Sequence, residues 1–353
     1  MNLLFVLGNG FDLQLGLPTS YHDFYQYYVN TPSSSTAIAR LKDEISADQQ
    51  NWSDLELALG KITADYSDVG TFCEVYDDIQ IELHRYLMKL DELMQAGTIT
   101  VNSTLDIFSD GLASPEKYFS KEVRESIVSE YNRIFAYHKS SHINVQILSF
   151  NYTHTVESLL HNPNLPKSIA GSQIILTYLR HIHRDLSPEN SVWLGVDNEE
   201  QILNQPFRTT EEVRLRLIKP EILNEISPVI VNDIDRTISE AEVICLFGVS
   251  LGDTDITWAR KIGTMVAKGV TTMLFVKDDK TFKTDNAKLV ALRRLKNQFI
   301  DKLKNVGIPI DETLLDINIE INSPIFRKDT PNPHEDNLKI LHEALSIQKN
   351  DII

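Results

Sequence analysis

Only two cysteines, Cys73 and Cys245, occur in the 353 residues. Two thiols cannot build a four-cysteine zinc site, and they make no disulfide framework. Each sits in an apolar stretch, which fits buried thiols in a reducing compartment and sets the expectation of a cytoplasmic protein. Basic residues are also scarce: 34 Lys+Arg stand against 50 Asp+Glu, a formal net charge of −16. A surface of that sign repels phosphate backbones and anionic lipid, so neither generic nucleic-acid binding nor membrane-surface binding is expected. No window approaches 18 consecutive apolar residues, which excludes a membrane-spanning helix. The first residues carry no basic region and only a five-residue apolar run before Gly8, too short for an export signal.

What remains is an ordinary globular composition, 42 % apolar and 24 % charged, over a length that suits one large domain or two. Leu3–Leu7 is a continuous apolar run stopped by Gly8-Asn9-Gly10, the pattern of a strand buried on both faces and ended by a tight turn. The signature returns at 145–150, 174–179, 243–247 and 272–276, separated by helical stretches, so the expected fold is an α/β parallel sheet of Rossmann-like type. Between the first two strands, Phe72, Val75, Ile79, Leu83, Leu87, Leu90 and Met94 recur at steps of three and four along one face of a long helix. A second helical stretch follows Pro115, and Gly97–Pro115 reads as a loop between them. The organisation expected is an α/β nucleotide-binding domain from 1–30 and 143–281, a large helical insertion over 31–142, and an α/β extension over 282–353.

Four segments carry candidate chemistry. Gly8-Asn9-Gly10-Phe11-Asp12 ends the first strand, where glycines let a backbone approach a phosphate and amides can donate to an anion. Leu13 stands where the dinucleotide fingerprint needs its third glycine, so a turn that binds nothing is an equal reading of the tripeptide alone. Asp12 adds an acceptor suited to ribose hydroxyls. Asn151, in Ser149-Phe150-Asn151-Tyr152-Thr153, lies at the carboxyl end of the next strand, where ligands sit in open α/β sheets; it could equally cap a helix. Phe247-Gly248-Val249-Ser250-Leu251-Gly252-Asp253 repeats the strand-turn-helix pattern, with Ser250 and the turn amides able to hold a phosphate or ribose, and Asp253 either a contact or a cap. In His181-Ile182-His183-Arg184-Asp185, alternate residues share a face if the segment is extended. That spacing suits a metal, but no partner ligand is evident and no metal is expected; a titratable general base or two packed histidines are the other readings.

Taken in order, these segments resemble the bacterial AbiH family of phage abortive-infection proteins. The resemblance rests on Leu-Gly-Asn-Gly-Phe-Asp at 7–12, Gly-Leu-Pro-Thr-Ser-Tyr at 16–21, Asn-Trp-Ser-Asp-Leu-Glu at 51–56, Ser-Phe-Asn-Tyr-Thr at 149–153, His-Ile-His at 181–183 and Gly-Val-Ser-Leu-Gly-Asp-Thr-Asp at 248–255. That family in turn is distantly similar to the sirtuin-like NAD-binding fold. Gly8, Gly10, Gly16 and Pro18 keep the sirtuin spacing, Asn151 matches the asparagine, Gly248 and Ser250 match the G-x-S turn, and His183 matches the catalytic histidine. Asp12 stands in the serine position, Tyr21 replaces an arginine, Thr153 replaces an aspartate, and Arg184 follows the histidine where related proteins have glycine. The resemblance implies an antiphage protein with NAD as substrate, cleaved to nicotinamide and ADP-ribose. Asn151 and His183 would be catalytic, and Gly8, Asn9, Gly10, Asp12, Gly248, Ser250 and Asp253 would contact the dinucleotide. It also implies a small-molecule nucleotide partner, and it leaves room for a phage-derived trigger and a homo-oligomer. The rival readings are a nucleotide-binding sensor without turnover and a metal-dependent nuclease or phosphohydrolase built on His181, His183 and Asp185.

Overall fold

The computed structural model describes residues 1–160, 167–168, 174–187, 190–278 and 280–350. Among the described residues seven strands form one sheet: β1 (Asn2–Leu7), β2 (Ile143–Ser149), β3 (Lys167–Ser168), β4 (Ile174–His181), β5 (Val243–Phe247), β6 (Thr271–Val276) and β7 (Ile317–Ile321), in the order β3-β4-β2-β1-β5-β6-β7. All pairings are parallel except that of the two-residue β3 with β4. This is the α/β Rossmann-like arrangement the apolar runs point to.

Alternation along the strands divides the core into two layers. Leu3, Phe5 and Leu7 with Val145, Ile147, Val243, Cys245 and Phe247 face one side, against helices Leu105–Ala113 and Lys121–His138. Leu4, Val6, Ile244 and Leu246 face the other, against helices Pro228–Ser239, Ile256–Ala267 and Asp285–Asn305. Every side chain from Leu3 to Leu7 is fully buried, which explains why β1 reads as an unbroken apolar run. Both cysteines are free and buried.

A third core belongs to a helical body. The 27-residue helix Val69–Gln95 packs its apolar face against helices Tyr21–Tyr28, Thr36–Ala47 and Leu55–Ile62, with Val192, Leu194, Val196 and the closing helix His334–Asn350 completing it. The expected loop at Gly97–Pro115 contains the helix Leu105–Ala113. Its Thr104 hydroxyl accepts from the Ile107 amide, an N-cap that a polar-rich stretch conceals at sequence level. The segment from 282 onward adds β7 beside β6 in the same sheet. Among the described residues no helix is long and apolar enough to cross a membrane.

Strand order fixes where a site can form. From β1 the chain moves to β2 and β4 on one side, then returns to lay β5, β6 and β7 on the other. The carboxyl ends of β1 and β5 therefore lie at a topological switch point, where an open parallel sheet leaves a crevice.

Candidate active site at the carboxyl ends of β1, β2 and β5

Gly8 ends β1 and helix Asn9–Gln14 starts at once in place of the expected turn, while Gly248-Val249-Ser250 leaves β5, and the two strand ends pack backbone to backbone. Gly8 N donates to Phe247 O at 3.0 Å, and Gly10 N donates to Gly248 O at 2.9 Å. A Cβ on Gly10 would stand 2.6 Å from Gly248 Cα, and one on Gly248, whose φ is +63°, would stand 2.5 Å from Phe11 N. Only hydrogen fits at either position. The glycines therefore serve the contact between strand ends, and the Gly8 and Gly10 amides expected to meet a phosphate are already paired.

A cavity of about 380 Å³ opens beside this contact, between the sheet and the helical body. Gly8, Asn9, Asp12, Asn151, His183, Gly248 and Ser250 all line it. Four segments far apart in the chain thus meet in one cleft, to which the helical body adds Tyr21, Glu56, Leu83 and Leu87. Two expected contacts lie elsewhere. Gly10 faces a second cavity of about 370 Å³ on the far side of the Gly248 turn, lined also by Phe247, Phe275, Lys277 and Arg327. Asp253 is exposed, lies outside both linings and caps no helix; in the Asp253–Asp255 turn it is Asp255 that enters the cleft.

Asp12 is only 1 % exposed and accepts from the Thr153 hydroxyl at 2.5 Å. Burial, only partly opposed by the Thr153 hydroxyl, pushes its carboxyl up to about 7. Its Oδ1 has no partner, nor has Asn151 Oδ1. Two covered acceptors without donors on neighbouring segments are costly, because each has left water without replacing its hydrogen bonds. Asn151 does not cap a helix: the one that follows starts at Thr155. Its carbonyl accepts from His181 Nδ1 at 2.6 Å, and the other ring nitrogen, Nε2, meets Glu157 at 2.8 Å. Burial by itself would lower the His181 imidazole, but Glu157 and the Asn151 carbonyl outweigh it and raise it.

His183 is 5 % exposed, with its ring edge to face against Phe150. Its Nε2 stands 3.0 Å from Asp255 Oδ1, without the alignment of a hydrogen bond. Behind it, Lys219 Nζ donates to the same Asp255 oxygen at 3.0 Å and to Glu56 Oε2 at 2.7 Å. Lys219 and His183 together hold the Asp255 carboxyl far below the usual carboxylate range despite its burial. The sequence motifs at 51–56 and 248–255 contain these two acids, but nothing local marks Lys219, which is brought in from 163 residues beyond Glu56.

The His181, His183 and Asp185 side chains do not converge. β4 ends at His181, and Arg184, at φ +67°, breaks the extended alternation, its guanidinium stacking over Trp193. That left-handed geometry favours glycine and costs a longer side chain some strain. Asp185 accepts from the Ser187 amide and the Asn190 side chain. Among the described residues no group of three His, Cys, Asp or Glu is arranged to hold a metal ion.

Residues 4–276 match the family described as bacteriophage abortive infection AbiH, which covers most of the chain and every segment that lines the cleft. The chain belongs to that family. Membership supports a function in phage abortive infection. No curated protein matches this AbiH-family chain.

Proposed function

We propose that the chain acts in abortive infection by hydrolysing NAD to nicotinamide and ADP-ribose in the cleft between the sheet and the helical body. The observation that carries this reading is the pair of unpartnered acceptors, Asp12 Oδ1 and Asn151 Oδ1, in a cleft whose lining includes four carboxyl groups, Asp12, Asp54, Glu56 and Asp255, and, among the described residues, no lysine or arginine. Such a lining suits a cationic ring on a sugar diol: each orphaned oxygen can accept one ribose hydroxyl, and Glu56 and Asp255, which share the single ammonium of Lys219, leave net negative charge beside it.

In the reaction the C1′–N1 bond breaks and nicotinamide leaves, neutral, with the bonding electrons. Positive charge spreads over the ribose ring, where the nearby carboxylates stabilise it. A water oxygen bonds to C1′ and loses a proton to His183, a step typically worth about 10²- to 10⁴-fold. The adenosine and pyrophosphate half extends over the Gly10–Gly248 contact toward the second cavity, whose Lys277 and Arg327 supply the positive charge absent from the first. Ser250, on the rim, holds the sugar or phosphate between them.

The test is to incubate purified protein with NAD, with and without phage lysate, and to quantify free nicotinamide. Release by the parent and loss of at least about 100-fold in His183→Ala and Asn151→Ala are expected. Equal turnover in both variants would remove the assignment. NAD binding without nicotinamide release would support a sensor instead, a reading favoured by the covered position of His183 Nε2 against Asp255.

A further inference from the structure

The buried ion chain behind His183 links all parts of the molecule that form the cleft. Glu56 comes from the first turn of helix Leu55–Ile62 in the helical body, Lys219 from the start of helix Lys219–Ile226, Asp255 from the turn after β5, and His183 from the turn after β4. Side-chain exposure is 9 % for Glu56, 4 % for Lys219, 16 % for Asp255 and 7 % for His183. Both Glu56 oxygens face donors, Oε2 the Lys219 ammonium at 2.7 Å and Oε1 the Gly195 amide at 3.5 Å; burial pushes the Glu56 carboxyl up and Lys219 opposes it, so the ammonium is what favours the carboxylate there. Two carboxylates and one ammonium leave one negative charge uncompensated when the imidazole is neutral, and none when it is protonated.

We propose that Lys219 is a positioning residue for His183: bridging Glu56 and Asp255, it fixes the oxygen that faces the imidazole and balances the charge around it, so that His183 can accept a proton and release it again. The inference rests on the reading of His183 as the proton acceptor. Were Asp255 and Glu56 left without the ammonium, two negative charges would favour the imidazolium and hold its proton more tightly. With Glu56 neutral, Lys219 would cancel Asp255 alone, and the imidazolium would lose its support. Besides Asp255, Lys219 and Glu56, Tyr152 faces the ring among the described residues, its ring centroid 6.3 Å away and its hydroxyl donating to Trp193 O.

The experiment follows the His183 ring by NMR in full-length protein with isotope-labelled histidine, across pH, in the parent, Lys219→Met and Glu56→Gln. A unit charge added or removed at this range in a buried site moves a titration by about one pH unit. The His183 midpoint should rise by that amount in Lys219→Met and fall by it in Glu56→Gln. Should Lys219→Met fail to fold, the fall in Glu56→Gln, which keeps the shape of the side chain, decides the matter. Coincident midpoints in the folded proteins would overturn the proposal. Nicotinamide release measured on the same samples separates this inference from the one beneath it. If the parent releases nicotinamide, the acid limb of its rate profile should move with the midpoints; a limb that stays in place overturns the positioning role. If the parent releases none while the midpoints split, the ion chain stands and the NAD reading falls.

Discussion

Thr153 donates its hydroxyl to Asp12 across 141 residues, joining the turn after β2 to the helix after β1 inside the protein. Asp12 is thereby a structural tie as well as a cleft residue, and its protonation has a consequence for folding. Its carboxyl titrates near 7 in the folded state against 3.8 when unfolded. An acid whose folded value is raised keeps its proton while the unfolded chain loses one, so its contribution to stability is complete below pH 4 and lost as pH rises toward 7. Asp12→Asn removes that loss. Relative to the parent, the variant should gain on the order of 2–4 kcal/mol between pH 4 and pH 8. Urea unfolding at both pH values measures the difference; an equal offset at both would mean that the carboxyl is ionised in the folded protein.

The contact between the two glycine-bearing strand ends is the hinge of the site, since Asn9, Asp12 and Ser250 all depend on it. Gly248→Ala introduces a methyl group at 2.5 Å from Phe11 N on a backbone with positive φ. Steric conflict and unfavourable dihedral act together, and a loss of about 2–4 kcal/mol is expected. Gly97, also at positive φ but with open space around its Cβ position, is the control: its alanine variant should lose only about 1 kcal/mol. Thermal unfolding of the two variants side by side gives the comparison.

Much of this architecture is legible in the sequence because β1, β5 and β6 are buried on both faces and so appear as continuous apolar runs ended by glycine or lysine, while β2 leaves Asn144 and Gln146 half-buried and is fully buried only from Ile147 to Ser149. The cleft residues Gly8, Asn151 and Gly248 are visible for the same reason: each sits just beyond such a run. The helix at 105–113 is hidden because its start is a threonine cap amid polar residues. Lys219 is invisible for a different reason. A single lysine before a proline carries no local signal, and its role exists only when helix Leu55–Ile62 and the β5 turn are brought to it by tertiary packing. The same holds for the pairing of Gly8 and Gly10 amides with the second turn, which no spacing in either segment announces.

His181 and Glu157 hold the Asn151 turn from below. A carbonyl can only accept, so His181 Nδ1 carries a proton, and Nε2 faces the Glu157 carboxylate, an arrangement that favours the imidazolium. Its folded value is raised above the usual 6.5, so the stabilisation is fully present below pH 6.5 and lost as pH rises through the folded value. Glu157→Gln should therefore cost about 1.5–3 kcal/mol at pH 6, the range for a charge-assisted hydrogen bond, and much less at pH 9. Denaturant midpoints of parent and variant at the two pH values provide the measurement, and a constant difference would show that the imidazole is neutral throughout.

The C-terminal helix reaches the site through one amide. Asn337, 1 % exposed, donates from Nδ2 to Gly16 O at 2.7 Å and Thr100 O at 2.8 Å, while its Oδ1 accepts from Thr100 N at 3.0 Å. Gly16, at φ +84° and packed against Pro333, begins the segment that carries Thr19 and Tyr21 into the cleft wall. Thr19 is latched in turn to Asn9 by reciprocal bonds, its hydroxyl donating to Asn9 Oδ1 and its carbonyl accepting from Nδ2. Asn337→Leu fills a similar volume but leaves the Gly16 and Thr100 groups buried without partners, at a cost of about 1–3 kcal/mol for each that stays dry. The loss should fall on the 16–21 segment first. Hydrogen exchange in the variant should rise at the Leu17 and Thr19 amides before it rises in β1, whereas uniform acceleration along both would show that the C-terminal helix supports the whole fold and not this wall of the cleft.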